Sequence, residues 1–273
     1  MIKLLVILLA QTPVDFADFL YSQGDYSRAA LEYERIGVNP ATDTSLAVYS
    51  LLKAGEALLR KEEKERALNV FAFGLKTFPN KGQYFNYGLL RSNFYLNKYR
   101  RTDSIASLLR NSAFKTQALT YDAFSLGFLG KKQEAVAKFA LLEAVPYRDS
   151  AISVLTAPLD SRSPWLSAGF STVLPGLGQA YCGRWGDAWQ SFSLVATFAG
   201  AAAYYAFFSK DTSSANTTKI IVTASIGGLF WLGNIYGAAN AALDYNDYQQ
   251  LKQKERLKVL VRRFDLEPKI PRP

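Results

Sequence analysis

Charged residues are interspersed with apolar ones up to about Arg162 and again after Asp244, but between Ser163 and Ala242 they all but vanish. The first stretch reads as pairs of short helices joined by tight turns. The uncharged stretch has the pattern of a segment that meets lipid rather than water. Together they predict an all-α chain in four parts. These are a signal-like segment at 1–11, helical repeats at 12–160, a membrane module at 163–247 and a basic amphipathic tail at 248–273.

Four segments carry the internal periodicity. The first is FADFLYSQGDYSRAALEYERIGVNP from Phe16. One helix ends at Gln23-Gly24, a turn follows at Asp25-Tyr26, a second helix carries Ala29 and Tyr33, and Pro40 closes the unit. The second copy is clearer: Gly55 lies twelve residues before Ala67, Phe71 follows four later, and Pro79 ends it. Small residues at Gly55 and Ala67 let two helices cross closely, Phe71 fills the gap to the next unit, and Pro79 cannot continue a helix. The third copy keeps Gly88 but has Arg100 where the second small residue belongs, so it is degenerate or its turn is shifted. The fourth has Ala123, Ala135, Phe139 and Pro146.

This arrangement resembles the tetratricopeptide repeat, a unit of about 34 residues in two antiparallel helices, over residues 13–150. The resemblance implies a helical solenoid whose groove, lined by the first helix of each pair, holds a peptide or partner helix. Tyr49, Leu52, Glu56, Phe85 and Phe124 fall where that groove is expected; each also reads as plain packing. The run RKEEKER, Arg60 to Arg66, reads as a solvated turn.

After Asp187 the chain carries no charge for 21 residues, to Phe208. As a helix rising ~1.5 Å per residue, that length crosses one hydrocarbon core. A polar loop, Ser209 to Lys219, leads to a second uncharged stretch of 24 residues, Ile220 to Leu243. The two spans are expected to form a transmembrane hairpin. Gly233 and Gly237, with Ala199 to Ala203 on the first span, offer close helix packing in lipid. Asn234 and Asn240 need polar partners there, either each other's helix or an ion path. Before the spans, Ser163 to Asp187 is broken by Pro175-Gly176, as a re-entrant or interfacial piece would be.

Within that broken piece, LPGLGQAYCGRWGDA resembles a bacterial family of small membrane domains with the pattern L-P-G-x-G-Q-x-Y-x-G, often fused behind tetratricopeptide repeats. It is also distantly similar to the TM2 domain. The matching residues are Pro175, Gly176, Gly178, Gln179, Tyr181 and Gly183. Ala238, Ala242, Tyr245 and Asn246 match the end of the second span. The resemblance covers about 163–247 and implies residence in a bacterial inner membrane, with no known chemistry.

The net charge is +9, and the tail from Gln249 onward holds eight Lys/Arg against three acids. Because the tail follows a hydrophobic span, anionic lipid headgroups fit it better than nucleic acid, for which no reader motif is present. Leu257, Leu260, Val261 and Phe264 share one helical face of the tail, with cations on the rest. The chain has no histidine and one cysteine, Cys182, so His-based catalysis and Cys/His metal sites are not available to it. No cofactor motif and no catalytic constellation is present.

Two readings of function follow. The first is a membrane-anchored scaffold that recruits a protein partner through the repeats. The second is an accessory subunit of a membrane transport or protein-insertion assembly. Sidedness is pulled two ways. Six Lys/Arg after the second span favour a cytoplasmic tail, while the signal-like start, which the resemblance also implies, favours repeats outside the cytoplasm. Both hold only if residues 164–182 cross as well.

Overall fold

The computed structural model describes residues 13–143, 146–263, 270 and 272; the signal-like segment at 1–11 and Phe264 lie outside these. The described residues form helices and turns, with no strand. The chain divides into two compact units, Met1–Ala157 with Arg256–Pro273, and Pro158–Glu255.

The first, the hairpin unit, begins with α1 (Pro13–Ser22), α2 (Tyr26–Gly37), α3 (Thr44–Arg60) and α4 (Lys64–Thr77). It continues with α5 (Gly82–Tyr95), α6 (Tyr99–Leu108), α7 (Lys115–Phe128), α8 (Lys132–Ala140) and α9 (Pro146–Thr156). Each helix packs on the next, and α5 also touches α3 and α7, so first helices of successive hairpins lie side by side.

One turn closes every hairpin. Gly24, Glu62, Asn97 and Gly130 all have positive φ, between 58° and 81°. At each, the residue's own N–H reaches back three residues and the following N–H reaches back five, as in Asn97 N to Phe94 O (2.9 Å) and Lys98 N to Asn93 O (2.9 Å). This pair of bonds consumes the carbonyls left over at a helix end. The turn fixes the register of each second helix. Its fourth and eighth residues are Ala29 and Tyr33, Ala67 and Phe71, Thr102 and Ala106, Ala135 and Phe139, and all eight are buried. The third turn is therefore shifted: Thr102, not Arg100, is the small residue against α5.

Phe71 shows why the small positions exist. A Cβ atom on Gly55 would lie 2.3 Å from the Phe71 ring, and one on Gly88 2.4 Å from its other side. The ring is clasped between its own hairpin and the next. Other buried rings, including Tyr33, Phe85, Tyr87, Tyr121, Phe124 and Phe139, continue the core along the array.

The second, the apolar unit, contains α10 (Pro164–Val173), α11 (Leu177–Tyr181), and α12 (Trp185–Ala203), which runs into a π turn at Tyr204–Phe208. Ser163 caps α10 and Pro164 occupies its first turn, where a missing N–H costs nothing. The last helix, α13 (Ser214–Arg263), starts in this unit and ends in the hairpin unit. Trp185–Phe208 and the apolar part of α13 are each long and apolar enough to cross a membrane. Their large side chains face outward: Trp189, Phe207 and Leu229 are all at least 70 % exposed.

α10 has 10 residues and α11 has 5, so neither spans a hydrocarbon core of ~30 Å. As far as Arg263 the tail forms the last turns of α13. Leu257 is 1 % exposed in the hairpin core, with Leu260 and Val261 packed beside it. The apolar face read as available to headgroups is thus occupied within the protein. With residue 157 and residue 256 in one compact unit, the chain between them makes an even number of crossings if it crosses at all.

Candidate functional site

Two places in the molecule gather polar groups with a defined geometry. The first is a cleft of ≈ 210 Å³ on the hairpin unit, lined by α3, the start of α5, Ile270 and Arg272, with α1 beside it. Asp43 caps α3 by accepting from Ser45 N at 2.8 Å, which starts that helix in register. From there Ser45, Val48, Tyr49 and Leu52, spaced three and four apart, form one stripe along α3 and one wall of the cleft. Lys81 and Tyr84 form the facing wall, at the start of α5.

On α1, next to Tyr49, stands Asp18. Its carboxylate accepts hydrogen bonds from the hydroxyls of Tyr33 and of Tyr49, the latter at 2.8 Å. Burial, then the bond to Asp18, pushes both phenols above their ordinary pKa, so they remain donors. The carboxylate is thereby fixed in place. Arg272 reaches the same corner, 3.7 Å from Asp18 and paired with Asp15. Ile270 packs on the apolar cluster beneath.

Of the five residues expected in a groove, Tyr49 and Leu52 line this cleft. The others do not. Phe85 is fully buried, Phe124 packs edge-on to Phe139 at 4.9 Å, and Glu56 is 2 % exposed in an ion pair with Arg91 of α5. First helices here are covered on two sides, by their own partner and by the next hairpin, so only a narrow stripe remains open. Asp15 and Asp18 were not foreseen; their spacing across α1 gives no signal until α3 lies beside it.

The second place is in the apolar unit, where the LPGLGQ motif folds into a hydrogen-bonded knot. Gly176 has φ +89°, and a Cβ there would lie 2.1 Å from Ala188 O. A Cβ on Gly178 would lie 2.0 Å from Ser167 O and 2.7 Å from the Ala238 methyl. These glycines bring α10, α11, α12 and α13 into backbone contact. Asn234 Oδ1 accepts from Gly176 N at 3.1 Å and from Gln179 Nε2 at 2.9 Å, while Asn234 Nδ2 donates to Ser171 O at 3.3 Å. Gln179 Oε1 in turn accepts from Ser171 Oγ at 3.0 Å.

Ser167 Oγ lies 2.6 Å from Ala238 O and 3.6 Å from Cys182 Sγ. Tyr181 packs on Phe170 and on the Arg162 guanidinium, which also faces Tyr245. Asn246 exchanges two hydrogen bonds with the backbone of Arg162. Gly183, with φ +78°, ends α11 in the same turn that closes the hairpins, and Pro175 precedes the Gly176 bend.

The glycine pair expected to pack the spans has another place. A Cβ on Gly233 would meet nothing within 4 Å, and one on Gly237 only the Gln179 amide at 3.6 Å. The spans approach instead at Gly227, 3.2 Å from Phe198 Cβ by the same measure, where Phe198 stacks on Phe230. Asn240 is half-buried and outside the knot. Among the described residues no three of Cys, Asp and Glu converge as metal ligands would. No protein-family profile, curated protein or solved structure matches the chain.

Proposed function

We propose that the protein is a membrane-anchored scaffold: a tetratricopeptide-type array recruits a protein partner through the α1–α3–α5 cleft, and the apolar unit holds it in a bacterial inner membrane. The observation that carries this reading is the cleft itself, whose apolar stripe on α3 includes Tyr49, the hydroxyl of which donates to the Asp18 carboxylate beside the cleft. That is a surface shaped for an extended segment. The shared turn at Gly24, Glu62, Asn97 and Gly130 supports repeats of that type. The outward-facing Trp, Phe and Leu of the other unit support residence in lipid.

The transport reading draws on the broken segment with Asn234 and Asn240; Asn234 and the Gln179 amide are spent within the knot, while Asn240 lies outside it. That favours the scaffold. An even number of crossings puts repeats and tail on one side. The interspan loop carries Lys210 and Lys219, whereas the other side has Arg184 directly before the first span and six Lys/Arg within about 20 residues after Leu243. Charge flanking the spans therefore favours tail and repeats in the cytoplasm, and a place for the repeats outside it rests on the signal-like start and the family resemblance.

Affinity purification of the full chain in mild detergent, with Tyr84→Glu beside the wild type, tests the scaffold. A partner retained by the wild type and lost with the variant is the expected result. An equal set of co-purified proteins from both would refute the cleft as the recruiting surface.

A further inference from the structure

We propose that the α1–α3–α5 cleft recognises a segment with an apolar residue and a basic residue two positions apart, and that the chain's own Ile270 and Arg272 occupy it as competitors of the partner. This rests on the scaffold reading and adds to it the chemistry of the ligand and a means of regulation.

The two contacts divide the work. Ile270 meets the apolar cluster, with Val48, Leu52 and Tyr84 lining the cleft around it. Arg272 meets Asp15 and Asp18, and the Tyr33 and Tyr49 hydroxyls hold the Asp18 carboxylate before any cation arrives. A preorganised acceptor loses little freedom on binding, which favours selectivity for a cation at that spacing. The arginine side chain stays half exposed, at 51 %, so the ion pair is solvent-screened and weak. The contact persists because a tethered segment faces its site at an effective concentration near millimolar. A partner bearing the same pair of side chains displaces it when locally more concentrated or better fitted.

The test uses a fluorescein-labelled peptide of sequence LEPKIPRP, residues 266–273, and the full chain in detergent micelles. Fluorescence anisotropy compares the wild type, the Ile270→Asp/Arg272→Asp variant, and that variant with Asp15→Asn and Asp18→Asn added. Apparent affinity scales with the fraction of open clefts. The first variant should therefore bind the peptide about tenfold more tightly than the wild type. The added asparagines should return binding to the wild-type level or below. Equal binding by the wild type and the first variant, or no binding by either, would overturn the proposal.

An independent measurement does not depend on those variants folding well. With Ser45→Cys on the cleft wall and Pro273→Cys beside Arg272 in one chain that keeps the ion pair, a flexible bismaleimide of roughly 10 Å reach, longer than a disulfide can span, should link the two within the monomer. Failure to cross-link, or a cross-linked dimer, would overturn occupancy by the chain's own segment. Neither experiment involves a partner, so the pull-down above can fail while both succeed, and the two readings fail separately.

Discussion

The hairpin unit and the apolar unit are both helical, yet they are built inside out with respect to each other. The hairpin unit buries large rings, with Phe71, Phe85, Tyr87, Tyr121 and Phe124 all at most 2 % exposed, and keeps most of its charges outside, apart from the paired Glu56, Arg91 and Asp122. In the apolar unit the rings are outside, and the interior consists of Ser167, Ser171, Gln179, Asn234, Cys182 and small residues such as Ala238 and Ala242. Water drives the first arrangement through apolar burial. Where the surroundings are apolar, burial gives no drive, and close backbone approach with hydrogen bonding takes over. The two units therefore have opposite tolerances: one fails when its core is emptied, the other when its core is filled.

The largest effect should come from Phe71→Ala. It removes the ring clasped between Gly55 and Gly88 and should destabilise the hairpin unit by about 3–5 kcal/mol, read from its thermal unfolding by circular dichroism. A loss below about 1 kcal/mol would mean that the array does not depend on this ring.

Next comes Gly178→Ala, a single added methyl where the Ser167 carbonyl and the Ala238 methyl already lie against the glycine. It should cost the apolar unit about 3 kcal/mol, lowering the monodisperse fraction after size exclusion in detergent. The hairpin unit should melt as before. If alanine is accepted at Gly178 without loss, close approach does not hold this unit together.

The smallest is Asn234→Leu. It exchanges a hydrogen-bonded amide for an apolar side chain of similar size in the interior of the apolar unit, and should destabilise it by about 1–2 kcal/mol. In a water-driven core such a change is often neutral or favourable, so a stabilised Asn234→Leu protein would erase the contrast.

Much of this was legible from residue spacing. Gly55, Ala67, Phe71 and Pro79 predicted a close hairpin and a ring directed at its neighbour. The loss of charge after Asp187 marked the first apolar helix to within a few residues, while the stretch after Lys219 is only the middle of the second, which runs from Ser214 to Arg263. The PGLGQ string predicted a break, because Pro175 and Gly176 cannot propagate a helix. What escaped depended on three-dimensional neighbours. Glu56 faces Arg91 of the next hairpin and Phe124 packs on Phe139 of its own, which periodicity within one helix cannot show. Gly233 and Gly237 have the spacing of a packing motif, but the face of α13 that meets α12 is set by the knot around Asn234. Asp18 acquires its role only from tyrosines 15 and 31 residues away. Leu257 looked like a lipid-facing residue because an apolar stripe does not say which partner covers it.

The turn at Gly24, Glu62, Asn97, Gly130 and Gly183 occurs in both units. Its two backbone hydrogen bonds are made entirely between residues of the same turn, so it asks nothing of its surroundings. A chain reversal that depends on hydration works on one side of a phase boundary only. This one is portable between phases, and it leaves the choice of medium to the side chains on the helices it joins. A chain that folds partly in water and partly in oil can therefore reuse one backbone device in both, and change solvent by changing only what its helices display.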